Sequence, residues 1–353
     1  MGPLESIYFF GYALKKSQSL RTRRKLPARV ISVGNLTVGG TGKTPATMAI
    51  AEEALRRGYR PCILTRGYRG RAKGPCFVSR GEGPLMSADD AGDEAFLMAE
   101  RLKGIPVVKG SDRYEAGMFA LRHLDPDFTR TGSKVLFLLD DGFQHWRLAR
   151  DLDVLLIDAT DPFGNRRLLP AGRLREPIRE MGRADLIVIS KKPPRHPQES
   201  GRPCPSPMDR LIDEIRDYNP TAPLYMAEHV AAGLRTLSGQ VVPLNALTDK
   251  RVFGFCGLGN PASFRNTLQG VKVRLVGDLL SFRDHVRYTP RHIAKIRQEA
   301  LTGNVEWIVT TEKDIMKLKA LPVPQDLAPI LVSLRIDFSI DTAFYENVFS
   351  ASP

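Results

Sequence analysis

Val30-Ile31-Ser32-Val33-Gly34-Asn35-Leu36-Thr37-Val38-Gly39-Gly40-Thr41-Gly42-Lys43-Thr44-Pro45 decides the reading of this chain. Its first four residues are a short, β-branched apolar run, the pattern of a buried strand. A glycine-rich turn follows, and 45–57 reads as a helix closed by Gly58. Strand, glycine-rich turn and helix is the context of a phosphate-binding loop. Glycines let backbone N–H groups close around phosphate oxygens without Cβ interference, and the helix N-terminus adds partial positive charge. Thr37, Val38, Gly39, Gly40, Thr41, Gly42, Lys43 and Thr44 are therefore candidate phosphate contacts. In this reading Lys43 reaches the β- and γ-phosphates and the Thr44 hydroxyl ligates Mg²⁺. The strict pattern wants glycine six residues before Lys43, where this chain has Thr37; the upstream glycine is Gly34. The loop alone indicates a nucleoside triphosphate, not what is done with it.

Strand-like runs recur at 61–65, 105–108, 135–139, 154–157 and 186–189, with helical patterns at 91–102 and 114–124. This alternation predicts an α/β fold of the P-loop NTPase type, a mostly parallel sheet with helices on both faces. A second, smaller α/β pattern follows, with apolar runs at 252–256, 271–276, 307–310 and 330–334. Six prolines between Pro193 and Pro207 mark a break. The expected organisation is an arm over 1–28, a P-loop core over 29–192, a Pro-rich linker over 193–207 and a smaller α/β domain over 208–353, whose last stretch can return to the core.

Val135-Leu136-Phe137-Leu138-Leu139-Asp140-Asp141 is an apolar strand ending in paired carboxylates. In a P-loop site an Asp at such a position organises Mg²⁺ and water; the alternative is a solvated strand end. Gln144 and His145 follow closely. Gly92-Asp93-Glu94 opens a helix, where the carboxylate either caps the N-terminus or acts as a base at a cleft edge. Arg113 and Arg175 sit in mixed-charge loops and either neutralise a transferring phosphate or pair with carboxylates. Asp284-His285 in the second half could orient an imidazole for proton transfer.

The chain has 353 residues, with 52 Lys and Arg against 39 Asp and Glu, a net +13. That charge favours anionic partners, unless it reflects solubility alone. Cys62, Cys76, Cys204 and Cys256 show no CxxC spacing, which argues against a zinc site or disulfide framework and for buried thiols in a reducing compartment. No run approaches ~20 apolar residues, so no membrane-spanning helix is expected. From Ser6 to Ala51 there is no acidic residue. Tyr8, Phe9, Phe10 and Tyr12 run into a basic cluster from Lys15 to Arg29. This is either an interfacial element with its aromatics at headgroup level or a helix docked on the protein's own core.

Taken together, 34–45, Thr65-Arg66-Gly67-Tyr68-Arg69-Gly70, Gly92-Asp93-Glu94, Asp140-Asp141-Gly142-Phe143-Gln144-His145, Leu174-Arg175-Glu176-Pro177, 255–261, Asp284-His285 and Thr311-Glu312-Lys313-Asp314 resemble the tetraacyldisaccharide 4′-kinase (lipid A 4′-kinase) family. Thr37 is itself part of that pattern. The chain departs from many members at 286–288, which lack a second aromatic or His directly after His285. The resemblance implies transfer of the ATP γ-phosphate to the 4′-hydroxyl of a tetraacylated glucosamine disaccharide 1-phosphate. It also implies a peripheral protein at the anionic cytoplasmic face of the bacterial inner membrane. By resemblance, Asp93 and His285 form a catalytic dyad in an interdomain cleft, Lys43, Asp140, Asp141, Arg113 and Arg175 serve catalysis, and Thr44, Asp141, Gln144 and Glu176 organise Mg²⁺. Three rivals share the loop: a soluble-metabolite kinase, a nucleic-acid-stimulated ATPase and a non-enzymatic switch. The second would explain the charge, but no helix-turn-helix, zinc-finger or RNP-like motif is present, so no nucleic-acid partner is expected.

Overall fold

Along 135–140 successive side chains point to opposite faces of the sheet: Leu136 and Leu138 enter one apolar cluster, Phe137 and Leu139 another. A strand covered on both faces needs apolar residues at every position, which gives its continuous hydrophobic run. The computed structural model describes residues 2–129, 134–190 and 206–350. In chain order the elements are α1 (Pro3–Arg21), β1 (Arg29–Gly34), α2 (Lys43–Arg56), β2 (Arg60–Thr65), β3 (Cys76–Ser79), α3 (Ala88–Ala91), α4 (Asp93–Arg101), β4 (Val107–Lys109), α5 (Arg113–His123), α6 (Pro126–Thr129), β5 (Val135–Asp140), β6 (Leu152–Asp158), β7 (Leu186–Ser190), α7 (Pro207–Tyr218) and β8 (Leu224–Thr236). They continue with β9 (Val241–Val242), β10 (Arg251–Cys256), α8 (Pro261–Gly270), β11 (Arg274–Leu275), β12 (Leu280–Ser281), α9 (Pro290–Thr302), β13 (Trp307–Thr311), α10 (Glu312–Leu318), β14 (Leu331–Ile340) and α11 (Thr342–Ser350).

The chain separates into two compact units, Met1–Glu228 with Phe338–Pro353, and His229–Asp337. In the first, the strand order is β8-β7-β6-β1-β5-β2-β4-β3. All neighbours are parallel except β3, which runs antiparallel to β4. Ala46, Ile50, Ala51 and Ala54 of α2 cover one face, together with Phe338, Phe344 and Val348 from the returning segment. Ala116 and Ala120 of α5 with Leu26 cover the other face near β2 and β5, and Leu211 and Ile215 of α7 cover it near β6 and β7. The α/β fold class is the expected one.

In the second unit β10 lies between β11 and β13, β13 pairs β14, and β12 also pairs β10, all in parallel. Its core gathers Val252, Cys256, Phe264, Leu268, Val309 and Val332.

Several expectations shift. The boundary expected over 193–207 lies, up to residue 205, outside the described residues. Ser206 caps α7, its hydroxyl accepting the Asp209 N–H at 3.1 Å, and α7 belongs to the first unit. The division falls after 228 and after 337, within β8 and β14, each of which carries the chain from one unit into the other. The helix expected over 91–102 breaks at Gly92, which has φ +91°. The strand expected over 271–276 shrinks to Arg274–Leu275, because α8 runs to Gly270 and Lys272 takes φ +60°. Cys62 and Cys256 are buried free thiols and Cys76 is half-buried.

The arm is a helix with two different faces. Tyr12 is buried and meets the Trp146 ring edge-on at 5.4 Å, and the Tyr8 hydroxyl donates to the Arg175 carbonyl at 2.8 Å. Glu5 accepts the Leu168 N–H at 2.9 Å, and Lys16 pairs with Glu180. Tyr8 and Tyr12 are therefore packing residues, not headgroup contacts. On the opposite face Leu4, Ile7, Phe10 and Leu14, spaced three to four apart, are 61–72% exposed. No helix among the described residues is long and apolar enough to cross a membrane.

Candidate active site

The loop between β1 and α2 is fixed from outside as well as by its glycines. Asn35 donates its side-chain amide to the Thr37 carbonyl at 2.8 Å. Val38 N–H donates to Arg173 O and Arg175 N–H to Leu36 O, both at 2.8 Å, and Thr37 bridges Leu174 antiparallel. Thr37 therefore sits in extended, bridged backbone that tolerates a Cβ, which explains why no glycine is required there. The left-handed positions are Gly39 and Gly42, at φ +120° and +87°. Gly42 caps α2, so the helix starts at Lys43 and its free N–H groups face the loop. Ser190 at the end of β7 donates its hydroxyl to the Thr41 carbonyl at 3.1 Å.

Lys43 Nζ lies 3.4 Å from the Gly39 carbonyl and 3.6 Å from Asp141 Oδ1. Arg175 Nη1 donates to both oxygens of Asp141, at 2.8 and 2.7 Å. Burial opposes ionisation of Asp141, but Lys43, Arg175 and Arg113 outweigh it and hold the carboxyl well below the usual carboxylate range. Asp140 is buried at the end of β5, where it accepts the Thr47 hydroxyl at 3.3 Å and the Thr65 hydroxyl at 3.4 Å. The two adjacent carboxylates thus differ: Asp140 is embedded among hydroxyls, and Asp141, at φ +54°, turns toward the cations.

Arg113 opens α5 and is buried. Burial draws its guanidinium down to about 10 against the opposing pull of Asp141 and Asp140, so it stays charged at neutral pH. Nη1 is held by the Gly110 and Ser111 carbonyls, and the Arg113 backbone N–H donates to His145 Nε2 at 3.3 Å. Burial, then Arg113, lowers His145 to about 3, which keeps the imidazole neutral and able to accept.

Glu176 does not stand open to a cation. It is fully buried, Arg183 donates to it at 2.9 and 3.0 Å, and Gln144 Nε2 donates at 2.5 Å. The same Gln144 amide nitrogen also donates to the Asn35 carbonyl at 2.7 Å. Gln144 and Glu176 thus brace the loop against the sheet, and Arg175 Nη1 also donates to Gln144 Oε1 at 3.3 Å. Among the described residues no group of three or more His, Cys, Asp or Glu is placed to hold a metal ion.

Asp93 opens α4 immediately after Gly92. A Cβ on Gly92 would come within 2.5 Å of the Tyr68 carbonyl, so glycine lets the Thr65–Gly70 turn press against the helix start. Lys109, buried at the end of β4, donates its amino group to the Asp90 carbonyl just before Asp93. The motif residues of Thr65-Arg66-Gly67-Tyr68-Arg69-Gly70 and Gly92-Asp93-Glu94 are thereby neighbours, and Thr65 joins them to Asp140. In the second unit His285 sits at φ +57°, and its Nε2 lies 3.9 Å from Asp284 Oδ2, outside hydrogen-bond range.

The family model described as tetraacyldisaccharide-1-P 4′-kinase matches residues 1–352. The chain belongs to that family. The tetraacyldisaccharide 4′-kinase of Pelobacter propionicus is 43% identical over 319 residues, 90% of this chain and 81% of the relative. That of Desulfotalea psychrophila is 37% identical over 353 residues, covering 98% of this chain and 94% of its own. A crystal structure of LpxK from Aquifex aeolicus in complex with ATP matches with a TM-score of 0.71 at 31% identity, over 99% of this chain and 97% of that one.

For this member of the tetraacyldisaccharide-1-P 4′-kinase family, Thr47, Arg183, Ser190 and Lys109 were missed in the sequence. Thr47 carried a usable signal, four residues beyond Lys43 and so on the same side of α2. Arg183 and Lys109 carried none, since isolated cations read as surface until their burial is seen.

Proposed function

We propose that the chain transfers the γ-phosphoryl group of ATP to the 4′-hydroxyl of a tetraacylated glucosamine disaccharide 1-phosphate, at a peripheral site on the cytoplasmic face of the inner membrane. The observation that carries this reading is the loop before Lys43 with Asp141 and Arg175 beside it, in a chain matched throughout by one kinase family. Phosphoryl transfer needs positioning and charge neutralisation more than covalent chemistry from the protein. The backbone over 37–44 holds the phosphates, and Lys43, Arg113 and Arg175 offset charge on the transferring group. Asp93 takes the proton of the sugar hydroxyl as its oxygen bonds to phosphorus and ADP departs, with His285 as the second member of that proton-transfer unit.

Mg²⁺ keeps several waters and takes only one or two protein carboxylates besides phosphate oxygens. The Thr44 hydroxyl and Asp141 supply such a set, with Asp140 behind them; when bound, the ion would neutralise phosphate charge.

The test is incubation of purified protein with labelled ATP and tetraacyldisaccharide 1-phosphate, then lipid extraction and chromatography. Label should move into a lipid with one more phosphate. ATP consumption with no label in the lipid, or equal transfer to water-soluble sugars, would overturn the assignment.

Membrane contact is assigned to the outer face of α1 and the residues just after it, with Leu4, Ile7, Phe10 and Leu14 inserting and Lys15, Arg21 and Arg23 meeting anionic headgroups. Arg24 is engaged elsewhere, with Asp112 and Glu115. Full burial of a large apolar side chain contributes about 1.5–3 kcal/mol. The triple variant Ile7→Gln, Phe10→Gln, Leu14→Gln should therefore bind anionic vesicles at least ~10-fold more weakly, even with partial insertion. Its KM for vesicle-dispersed acceptor should rise while KM for ATP stays put, because Tyr8 and Tyr12 still dock the helix. Co-sedimentation unchanged at low and high salt would remove this face from the membrane contact.

A further inference from the structure

Thr311-Glu312-Lys313-Asp314 has so far no part in the reaction. Thr311 ends β13 and caps α10, its hydroxyl accepting the Asp314 N–H at 3.1 Å. An acid at this third helical position ordinarily turns back to the backbone of the cap. Here it goes elsewhere. Asp314 is fully buried, and its Oδ2 accepts the Thr311 hydroxyl at 2.6 Å and the Gly257 backbone N–H at 3.0 Å.

Gly257 is the first residue past β10. A Cβ there would lie 2.7 Å from Val286 Cγ1 and 3.0 Å from Asp314 Oδ1, so the strand exit is pressed between the carboxylate and the turn holding His285. That turn leaves β12, which pairs with the end of β10: Phe282 N–H donates to Cys256 O at 2.8 Å, and Val286 N–H to Arg283 O at 3.0 Å. His285 is left-handed, a conformation that a non-glycine residue keeps only when its surroundings over-determine it. On the far side, Tyr288 is buried edge-on against Phe282 at 5.4 Å and Phe255 at 6.0 Å. The Tyr288 hydroxyl and Asp314 Oδ1 are both buried without a hydrogen-bond partner. Burial, and after it the nearby Asp314 carboxylate, push the phenol above its ordinary range.

We propose that Asp314 is a positioning residue for His285, holding Gly257 on one side of the His285 turn and Tyr288 on the other. This rests on the proton-transfer role given to His285 above. The carboxylate does not touch substrate; it fixes the frame in which the imidazole stands.

The test uses the full chain with ATP and tetraacyldisaccharide 1-phosphate. Asp314→Ala should lower kcat ~10-fold or more with KM for ATP within about twofold, the signature of lost orientation without lost nucleotide binding. Asp314→Asn, which keeps an acceptor for Gly257, should recover part of the loss. In a His285→Ala background Asp314→Ala should add less than about twofold, because residues acting as one unit are not additive. Should Asp314→Ala fail to fold, Tyr288→Phe removes only the hydroxyl and should show the same pattern at smaller amplitude. A multiplicative loss in the His285→Ala background, or an unchanged kcat in folded Asp314→Ala, overturns the proposal.

A second readout does not depend on turnover. In protein labelled with ¹⁵N-histidine, the His285 ring signals, assigned by their loss in His285→Ala, should move in Asp314→Asn while those of His123 in the first unit stay. Ring signals that do not move overturn the positioning role. If they move while His285→Ala leaves kcat intact, it is the catalytic role of His285 that fails.

Discussion

Lys43→Ala should lower kcat at least ~100-fold, about 2.7 kcal/mol of transition-state stabilisation, with saturating ATP and acceptor. The size follows from where the amino group sits. It lies 3.4 Å from the Gly39 carbonyl and 3.6 Å from Asp141, on the first residue of a helix whose free N–H groups face the loop. Removing it takes away a fixed cation where charge develops on the transferring group. It also leaves Asp141 with one fewer counter-charge. Arg175 is committed to Asp141 through one nitrogen and cannot move into the gap without releasing it. Lys43→Arg should restore little, since a planar guanidinium is not a substitute for a compact ammonium in a closed loop. Steady-state kinetics with a parallel nucleotide-binding measurement checks this. Near-normal turnover in Lys43→Ala would remove the loop from the reaction.

Asp93→Ala should cost ~10²–10⁴ in kcat, the range of a general base acting on an unactivated hydroxyl. KM for ATP should change little, because the phosphate loop is fastened through Asn35, Arg173 and Ser190 and not through α4. His285→Ala should produce a loss of similar kind. If the two form one proton-transfer unit, the double variant falls far short of the product of the single losses. Fully multiplicative losses would separate them into independent contributors.

Much of the first unit was legible because its strands are buried on both faces, so burial alone writes 135–139, 154–157 and 186–189 as unbroken apolar runs. β8 was not legible. Its sequence Leu224-Tyr225-Met226-Ala227-Glu228-His229-Val230-Ala231-Ala232-Gly233-Leu234-Arg235-Thr236 is only partly covered, and it serves two units in turn. The break in the 91–102 helix was signalled by Gly92, but only the structure shows that the Tyr68 carbonyl occupies the space of a Cβ. Near the loop, Lys43 and Asp141 follow from a strand–turn–helix pattern and a second strand ending in carboxylates. The fate of Glu176 does not, since Arg183 seven residues on reads as one more surface cation until it is found against that carboxylate and over the Phe143 ring at 3.6 Å. The arm shows the same limit: its aromatics suit lipid or core equally, and packing against Trp146 assigns Tyr12 to the core while leaving Phe10 outside.

The return of β14 and α11 to the first unit bears on how the protein is made. Phe344 and Val348 are fully buried in the cluster under α2, Arg29 donates to the Val348 carbonyl at 2.7 Å, and Arg57 pairs with Glu346 at 2.6 Å. The ribosome synthesises 229–337, a whole separate unit of 109 residues, before it reaches these contacts. At about 5–20 residues per second that is roughly 5–20 s of nascent chain in which the nucleotide-binding unit has its sheet and its loop but lacks the helix that seals one side. A stalled or truncated chain therefore presents an open apolar face at the start of β1 and the C-terminal end of α2, the ends of both elements remote from the phosphate loop, and loss of the last helix would destabilise the nucleotide-binding unit before the unit that directly precedes it.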